Sequence, residues 1–493
     1  MDGTPPRVDD PGDTVTTEPE ITAAPASAKF TTGSTLRHVV VMTATGSIGL
    51  IAIFLVDALN LFYISLLGVK ELAAAIGFSA TLMFFTVSVG IGLTIATSAL
   101  VSRALGRGSR QDAAALGGSA LVIMALTLAV LSALVWPFLN PLLAKLGATG
   151  QTLELATRFM QIVLPSSPLV AVGMCTTGIM RGAGDARRSM YVTLASGLAA
   201  AVLDPILIFG LGLGLDGAAI ATVLARLVMV AVGLHGVVVV HRLAAWPDWT
   251  RLRIAARPFF VIGLPAVATQ LATPVGNAYV TAEIARFGDD AVAGWAIIGR
   301  LVPVAFGAIF ALAGAVGPIL GQNYGARRYD RLMAVMRDSL LVTLVYVIAA
   351  WALLAIFRHG VADLFGATAT ARDLIEFFCL FAAGSFLFNG ALFVANAAFN
   401  NLGYPGYSTI FNWGRATLGT IPFVWAGAYF YGAAGVIGGW ALGSVMFGTA
   451  ALVWCFRIVG DVADRTPPGP PLPAPPPASH SPFSTGKAST VLD

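Results

Sequence analysis

Residues 39–67 read VVVMTATGSIGLIAIFLVDALNLFYISLL, an apolar run that is long enough to cross a bilayer and carries one charged residue, Asp57. An ionised carboxylate at membrane depth costs about 2.5–3.5 kcal/mol on insertion scales. No basic residue lies in the same run to neutralise it. We therefore interpret Asp57 as a functional residue and expect the rest of the chain to make use of its charge.

The composition indicates a protein built mainly of membrane-spanning helices. The 493 residues are 57% hydrophobic and 11% charged, whereas soluble proteins carry about 25% charged residues. Such long apolar runs argue against tandem amphipathic repeats of a soluble protein. We expect an all-α integral membrane protein with twelve spans. They are predicted over residues 38–67, 72–101, 113–138, 154–178, 188–211, 216–241, 257–286, 291–320, 334–357, 372–398, 407–430 and 433–457.

Both ends of the chain have the composition of disordered tails. Residues 1–37 are polar and lack the regions of a signal peptide, and residues 458–493 are rich in proline. An even number of spans places both tails on one side of the membrane. Most of the 29 Lys and Arg residues fall in tails and loops of that side, so the positive-inside rule predicts cytoplasmic tails in the cell membrane. The net charge of +4 and the three cysteines, all in apolar segments, indicate neither nucleic-acid binding nor a disulfide framework.

The two halves of the chain are predicted to be internal repeats. Three glycine-rich motifs recur at a nearly constant displacement along the chain, so that Gly106 matches Gly325, Gly184 matches Gly403 and Gly217 matches Gly435. With six spans each, the halves have the same orientation and are related by an axis along the membrane normal, as in several secondary transporters. The predicted domains between the tails are an N-terminal bundle at 38–241, a cytoplasmic linker at 242–256 and a C-terminal bundle at 257–457.

Only two acidic residues, Asp57 and Asp204, lie well inside the predicted spans. Asp204 is followed by Pro205, which has no N–H to donate and leaves a carbonyl oxygen free one turn before the acid. Thr222 offers a hydroxyl one span later, and Arg226 follows a turn beyond it on the same helix face. Asp204 is therefore either a functional carboxylate or the partner of Arg226 in a structural ion pair.

Several motifs in these spans and loops carry a family resemblance. They are Val56-Asp57, Arg181-Gly182-Ala183-Gly184-Asp185, Leu203-Asp204-Pro205-Ile206-Leu207-Ile208-Phe209-Gly210, Gly217-Ala218-Ala219-Ile220-Ala221-Thr222, and Gly317-Pro318 with Gly321-Gln322-Asn323-Tyr324-Gly325-Ala326. Together they resemble the MATE (multidrug and toxic compound extrusion) transporters over residues 38–457. The resemblance implies two six-helix bundles forming a V, alternating access, no enzymatic activity, and export of organic cations and drugs in exchange for H⁺ or Na⁺.

The resemblance assigns Asp57, Asp204 and Thr222 to the cation-coupling cluster of the DinF-like branch of the family. The asparagine that relatives often carry one turn before the span-5 acid is Ala200 here. One hard oxygen ligand for Na⁺ is thereby lost, whereas a carboxylate site that binds protons is unaffected. We therefore expect coupling to H⁺ rather than Na⁺, and no other cofactor or metal.

The acids that the NorM-like branch carries in spans 7 and 10 correspond to Thr273 and Asn389, which do not ionise, so both deep acids belong to the N-terminal bundle. Other residues are predicted to line a substrate cavity, with aromatic rings suited to flat cations. They are Asn60, Phe62, Thr177, Asn277 and Asn389, with Phe84, Phe85, Phe306 and Phe310 as further aromatic candidates. We expect a monomer in the lipid bilayer that binds small cationic or amphipathic drugs.

Two rival functions are weighed against this prediction. A lipid-linked precursor flippase shares the architecture of the wider superfamily, but it is expected to carry a cluster of buried arginines for pyrophosphate, and only Arg226 and Arg415 lie within spans. An integral-membrane transferase needs paired carboxylates for Mg²⁺, such as a DxxxD motif, and no such pair faces a common loop. Antiport through Asp57 and Asp204 is therefore the favoured function.

Overall fold

The computed structural model describes residues 28–65, 70–367 and 369–465, except for the side chains at 57, 58, 60–62, 64, 65, 70 and 465. These residues form sixteen α-helices and no β-strand. The helices are α1 Thr35–Ser65, α2 Lys70–Gly106, α3 Arg110–Val135, α4 Leu139–Lys145, α5 Gly150–Val163, α6 Ser167–Gly182, α7 Ala186–Pro205, α8 Gly214–Leu234, α9 Trp249–Ala285, α10 Asp289–Gly325, α11 Tyr329–Ile356, α12 Arg358–Leu364, α13 Ala369–Leu380, α14 Phe386–Leu402, α15 Pro405–Ala416 and α16 Ile421–Arg465.

The helices account for the twelve predicted spans. Eleven helical segments in the described part of the chain are long and apolar enough to cross a membrane. The last of these, Pro405–Asp464, contains two crossings, because Gly432 breaks it with a φ of +60° that favours glycine. The predicted boundaries differ from the helix ends mainly where polar residues extend a helix beyond the apolar core.

Helices of the described chain extend past the predicted bounds of the tails and the linker. The described chain starts at residue 28, and α1 begins at Thr35 rather than after the predicted tail ending at residue 37. Helix α16 continues to Arg465, about two turns beyond the predicted start of the C-terminal tail. Helix α9 begins at Trp249, where the carboxylate of Asp248 accepts a hydrogen bond from the N–H of Arg251 and caps the first turn.

Helices α1–α8 form the N-lobe and α9–α16 form the C-lobe. In each lobe a glycine of the sixth span packs directly on the backbone of the fifth: a Cβ on Gly217 would lie 2.6 Å from the carbonyl oxygen of Leu207, and one on Gly435 would lie 2.0 Å from that of Gly427. Such close approach is how helices gain packing energy in lipid. The same contact thus recurs at two glycines that the sequence predicts to be repeat partners.

Helix α10 bends in its middle. Phe306 has φ −120° and ψ 17°, three residues after Pro303, and proline in a helix removes a hydrogen bond and kinks the axis. The ring of Phe306 is buried and stacks on Phe386 at 4.1 Å between ring centroids. Phe306 is therefore part of the C-lobe core, and its predicted place among cavity-lining aromatics is wrong.

Candidate functional site

The N-lobe carries a buried carboxylate at a break in a spanning helix. Asp204 is 1% exposed and lies in the last turn of α7. A π-helical turn, Ile206–Gly210, follows Pro205, and the N–H of Leu211 donates to the carbonyl oxygen of Ile206 at 2.9 Å. A π-helical turn replaces the α-helical hydrogen bonds, and such turns often occur at functional sites. The backbone beside Asp204 is therefore irregular. At membrane depth, irregular backbone is tolerated only where protein or a water-filled cavity surrounds it.

Thr222 lies on α8, which packs against α7 through contacts on either side of it. Ser196 donates to the carbonyl oxygen of Ala225 at 3.1 Å, and Gly217 packs on Leu207. The hydroxyl of Thr222 donates to Ala218 of its own helix at 2.9 Å, so its oxygen retains acceptor capacity. Asp204 and Thr222 thus lie on neighbouring helices, and their joint role in coupling stays a prediction.

Arg226 is held by oxygen atoms of the corner between α5 and α6. Its Nη1 donates to the carbonyl oxygen of Val163 at 2.9 Å and to the hydroxyl of Ser166 at 2.6 Å. Both acceptors belong to the N-lobe. Arg226 therefore ties the end of α5 to α8 by hydrogen bonds that do not depend on Asp204.

The first predicted coupling residue lies on α1, which packs along α7. Val56 lies close to Gly197, where an added Cβ would come within 3.0 Å of it. Asp204 lies about two turns further along α7. The side chains of Asp57, Asn60 and Phe62 are outside the described residues, so their predicted roles stay predictions.

The remaining predicted cavity residues are spread over three helices. Thr177 on α6 is buried and accepts a hydrogen bond from Nη2 of Arg181 at 3.1 Å. Asn277 on α9 is exposed, and Asn389 on α14 is buried. Thr177 therefore belongs to the contact between the lobes, because Arg181 lies against Gly314 of α10, whereas the two asparagines belong to the C-lobe.

The lobes meet at the face that carries both ends of the described chain, which we call the terminal face. A Cβ on Gly106 of α2 would lie 2.2 Å from the carbonyl oxygen of Gln322, and one on Gly325 of α10 would lie 2.2 Å from that of Arg103. Gly106 and Gly325 are equivalent positions of the internal repeat, so the two contacts are related by the symmetry of the repeat. The two helices therefore cross around the axis that relates the repeats.

Hydrogen bonds across the terminal face follow the same symmetry. Nε and Nη2 of Arg103 donate to the carbonyl oxygens of Asn401 and Asn400 at 2.9 and 2.7 Å. Nε2 of Gln322 donates to the carbonyl oxygen of Gly182 at 2.7 Å. Each side chain thus satisfies carbonyl groups at the C-terminal end of a helix in the other lobe, groups that have no partner within their own helix.

The segment before α1 spans both lobes at this face. Nζ of Lys29 donates to the carbonyl oxygen of Gly184 in the N-lobe at 2.7 Å, and the N–H of Phe30 donates to Gln322 in the C-lobe at 2.9 Å. Asn323 donates to the carbonyl oxygen of Phe30 at 3.1 Å, and the ring of Phe30 is 1% exposed. The terminal face is therefore closed by α2, α10 and this segment together.

Asp185 joins two loops of the N-lobe at the terminal face. It caps α7 by accepting from the N–H of Arg188 at 3.0 Å, and Nε2 of His241 lies 2.9 Å from its Oδ2. Burial alone raises the pKa of Asp185, but the hydrogen bonds from His241 and Arg188 outweigh it and hold the pKa well below its usual range. Asp185 is thus charged, and its role is structural, because its carboxylate oxygens are hydrogen-bonded to Arg188 and His241 within these loops.

Sequence reasoning missed the residues that close the terminal face. Arg103, Gln322 and Lys29 have no deep location or unusual neighbours in the sequence. A signal was nevertheless present, since Gly106 and Gly325 were matched as repeat partners. Two equivalent glycines at the ends of equivalent spans are what a close crossing on the repeat axis requires.

Known proteins are similar to this chain in sequence. The MatE family model matches residues 47–206 and 265–426, one stretch in each lobe. A FAD transporter of Shewanella oneidensis is 28% identical over 433 residues, 86% of this chain and 95% of that protein. The multidrug export protein MepA of Staphylococcus aureus is 26% identical over 380 residues, 74% of this chain and 81% of that protein.

A solved structure agrees with the fold as well. The Vibrio cholerae MATE transporter VcmN in the bent form has a TM-score of 0.82 and 25% identity, and the match covers 87% of this chain and 98% of that chain. This match and the described helices agree with the twelve-helix, two-lobed V that the sequence resemblance implies. With both lobes matched by the family model, the chain belongs to the MATE family of multi-pass membrane transporters and is not an enzyme.

Proposed function

We propose that this transporter is an H⁺-coupled antiporter that exports organic molecules through the cleft between its lobes. The observation that carries the proposal is Asp204, a carboxylate that is 1% exposed where α7 changes to a π-helical turn. An acid is retained at such depth, despite its cost, when it has a role in moving ions or protons. Asp57 and Thr222 are the proposed partners of Asp204 in this role.

Proton coupling is favoured over Na⁺ coupling by the side chains around Asp204. Na⁺ needs several hard oxygen ligands, and Ala200, one turn before Asp204, supplies none from its side chain. A proton needs only the carboxylate itself.

The proposed transport cycle starts from the state in which the terminal face is closed. We place this face on the cytoplasmic side of the cell membrane, on the basis of the Lys and Arg distribution. The cleft is then open to the outside. Protons from outside neutralise the N-lobe carboxylates, the exported molecule leaves, the lobes reorient, and proton release to the cytoplasm restores the charged site. Each elementary charge that moves inward contributes about 2.3 kcal/mol per 100 mV.

Two relatives support different substrate classes. The relative from Staphylococcus aureus is a multidrug export protein, which supports cationic and amphipathic drugs. The relative from Shewanella oneidensis is an FAD transporter, and FAD contains a flat ring system joined to a diphosphate. Flavin nucleotides are therefore a second candidate class.

The test is transport in everted membrane vesicles with ethidium, a flat organic cation, as the probe. We expect accumulation driven by a pH gradient and none driven by a Na⁺ gradient alone. Asp57→Asn and Asp204→Asn should abolish transport while the protein still reaches the membrane. Full transport by Asp57→Asn contradicts the proposed coupling, and stimulation by Na⁺ alone contradicts the choice of H⁺.

The same experiment decides between coupling and a structural role for Asp204. If Asp204 is the partner of Arg226 in an essential ion pair, Asp204→Asn leaves a buried guanidinium uncompensated and lowers expression or causes aggregation. A stable but inactive Asp204→Asn protein supports coupling. Arg226→Gln is the matched control, because it removes the hydrogen bonds to Val163 and Ser166 and leaves the carboxylate in place.

A further inference from the structure

The C-lobe contains a buried arginine whose donors are only partly used. Arg415 lies in the last turn of α15 and is 8% exposed. Its Nη2 donates to the hydroxyl of Thr273 at 3.2 Å, whereas its buried Nε has no hydrogen-bond partner among the described residues. Within the same part of the chain, no carboxylate forms an ion pair with Arg415.

Arg226, the other arginine that the sequence places within a span, has more hydrogen-bond partners than Arg415. Nη1 of Arg226 donates to two oxygen atoms of the protein, Val163 O and Ser166 Oγ. Arg415 has one such bond, and its acceptor is an exposed threonine. Because a charged side chain at membrane depth is stable only when it is paired or faces a polar cavity, Arg415 calls for an anion that the C-lobe itself does not supply.

The surroundings of Arg415 form a polar stripe inside the C-lobe. Thr273, Asn277 and Thr281 are spaced by four residues on α9 and so share one face of the helix. Arg415 of α15 bonds to the first of them, and the indole N–H of Trp295 on α10 donates to the last at 3.0 Å. The stripe therefore faces the space between α15 and α10, and Thr273 and Asn277 are exposed there.

The donors in this space suit an anion. The hydroxyl of Thr273 accepts from Arg415, so its own hydrogen is available for a ligand. The exposed amide of Asn277 adds two N–H donors one turn away. Guanidinium groups bind phosphates with several charge-assisted hydrogen bonds, and neutral donors beside them satisfy the remaining phosphate oxygens.

We propose that the C-lobe binds a phosphate group of the exported molecule at Arg415, Thr273 and Asn277. This inference rests on the proposed export function and adds the substrate class to it. The N-lobe carries the acids that exchange protons, whereas the C-lobe carries the cation that recognises the substrate. A small organic phosphate and a phosphate on an isoprenoid lipid share the recognised chemistry.

The test compares ligands that differ only by phosphate, using purified protein in detergent without any ion gradient. Flavin mononucleotide is compared with riboflavin, and farnesyl diphosphate with farnesol. We expect the phosphorylated member of one pair to bind with at least tenfold higher affinity than its counterpart. The pair that shows this difference identifies the substrate as a soluble phosphate or a lipid phosphate. Equal affinities within both pairs overturn the proposal.

Variants locate the site and keep the test decisive if one of them fails to fold. Arg415→Gln should reduce the preference for phosphate to nearly none. Asn277→Ala changes an exposed side chain of the proposed site, and it should weaken binding of the phosphorylated ligand several-fold while leaving its counterpart unchanged. Arg286→Gln, at the outer end of α9 and paired with Glu283, is the matched control and should change neither.

The result separates this inference from the proposed coupling. A phosphate preference that depends on Asn277 or Arg415, found together with a failure of pH-driven ethidium transport, overturns the coupling and supports the site. Normal pH-driven transport, with the phosphate preference retained in both Arg415→Gln and Asn277→Ala, supports the coupling and overturns the site.

Discussion

The Cα of Gly106 on α2 lies so close to Gln322 on α10 that a Cβ there would be 2.2 Å from the Gln322 carbonyl oxygen. No real Cβ tolerates such a distance from a backbone atom, and no side-chain rotation relieves it. The contact joins the two lobes at the terminal face. Closure of this face therefore depends on glycine at position 106.

The first prediction is that Gly106→Ala opens the terminal face. The added methyl group must push α2 away from α10, which breaks the neighbouring bonds from Arg103 to α14. Nitroxide labels on cysteines introduced at Arg107 and Ala326 measure the separation of the two helix ends. We expect the distance distribution to shift to longer values by several ångström, together with a loss of transport.

Gly77→Ala is the matched control on the same helix, because a Cβ at Gly77 meets no atom within 4 Å. It should leave both the distance and the transport rate unchanged. The native cysteines Cys175, Cys379 and Cys455 are buried and need not be replaced for labelling. An unchanged distance in Gly106→Ala contradicts the role assigned to this contact.

The second prediction concerns the packing of the last two spans. A Cβ on Gly439 would lie 2.3 Å from the carbonyl oxygen of Phe423, whereas one on the adjacent Gly438 would lie 3.7 Å from the nearest atom, in Phe377. Gly439→Ala should therefore destabilise the C-lobe by about 1–3 kcal/mol, and Gly438→Ala should be nearly neutral. Thermal unfolding in detergent tests the pair, and equal midpoints for the two variants would show that this crossing is looser than described.

The third prediction concerns the charge of Asp185. Its pKa in the folded protein is held below its ordinary value of about 3.9, so its charge stabilises the fold above that value and the contribution is lost as the pH falls below it. Asp185→Asn keeps an oxygen that can cap α7 and removes only the charge. We expect the variant to be less stable by about 1 kcal/mol at pH 6.

The unfolding midpoints of wild type and Asp185→Asn should converge as the pH falls below about 4, because the wild-type carboxyl also becomes neutral in the unfolded chain. Asp185→Ala, which removes the cap as well, should cost about 1 kcal/mol more and keep that part of its deficit at low pH. A difference between wild type and Asp185→Asn that grows on acidification contradicts the assignment.

The fold was largely predictable because its signals are local or repeated. Apolar runs located the twelve crossings, and the match of Gly217 to Gly435 anticipated a contact that recurs in both lobes. The boundary predicted between spans 407–430 and 433–457 coincides with the break at Gly432. The packing of residues 28–34 was missed because the backbone of Phe30 is held by partners far away in the sequence, Gln322 and Asn323.

The site was predictable to a smaller extent. Asp204 was identified from its depth and Thr222 from a motif, and the structure buries Asp204 on α7 with Thr222 on the neighbouring α8. Phe306 was misassigned, because hydropathy does not tell a cavity wall from a lobe core. Whether the donors of Arg415 have hydrogen-bond partners depends on the atoms around it in the folded protein. The neighbours of a buried side chain cannot be read from the sequence.

The central claim is that N-lobe carboxylates bind either protons or the exported molecule. By linkage, a ligand that competes with protons must release them when it binds. The measurement is proton release when ethidium binds to purified, weakly buffered protein at about pH 7, read with a pH-sensitive dye. The account predicts proton release by wild type, less by Asp204→Asn and none by the variant with both Asp57→Asn and Asp204→Asn. Equal proton release by wild type and the double variant, at equal ethidium binding, would contradict it.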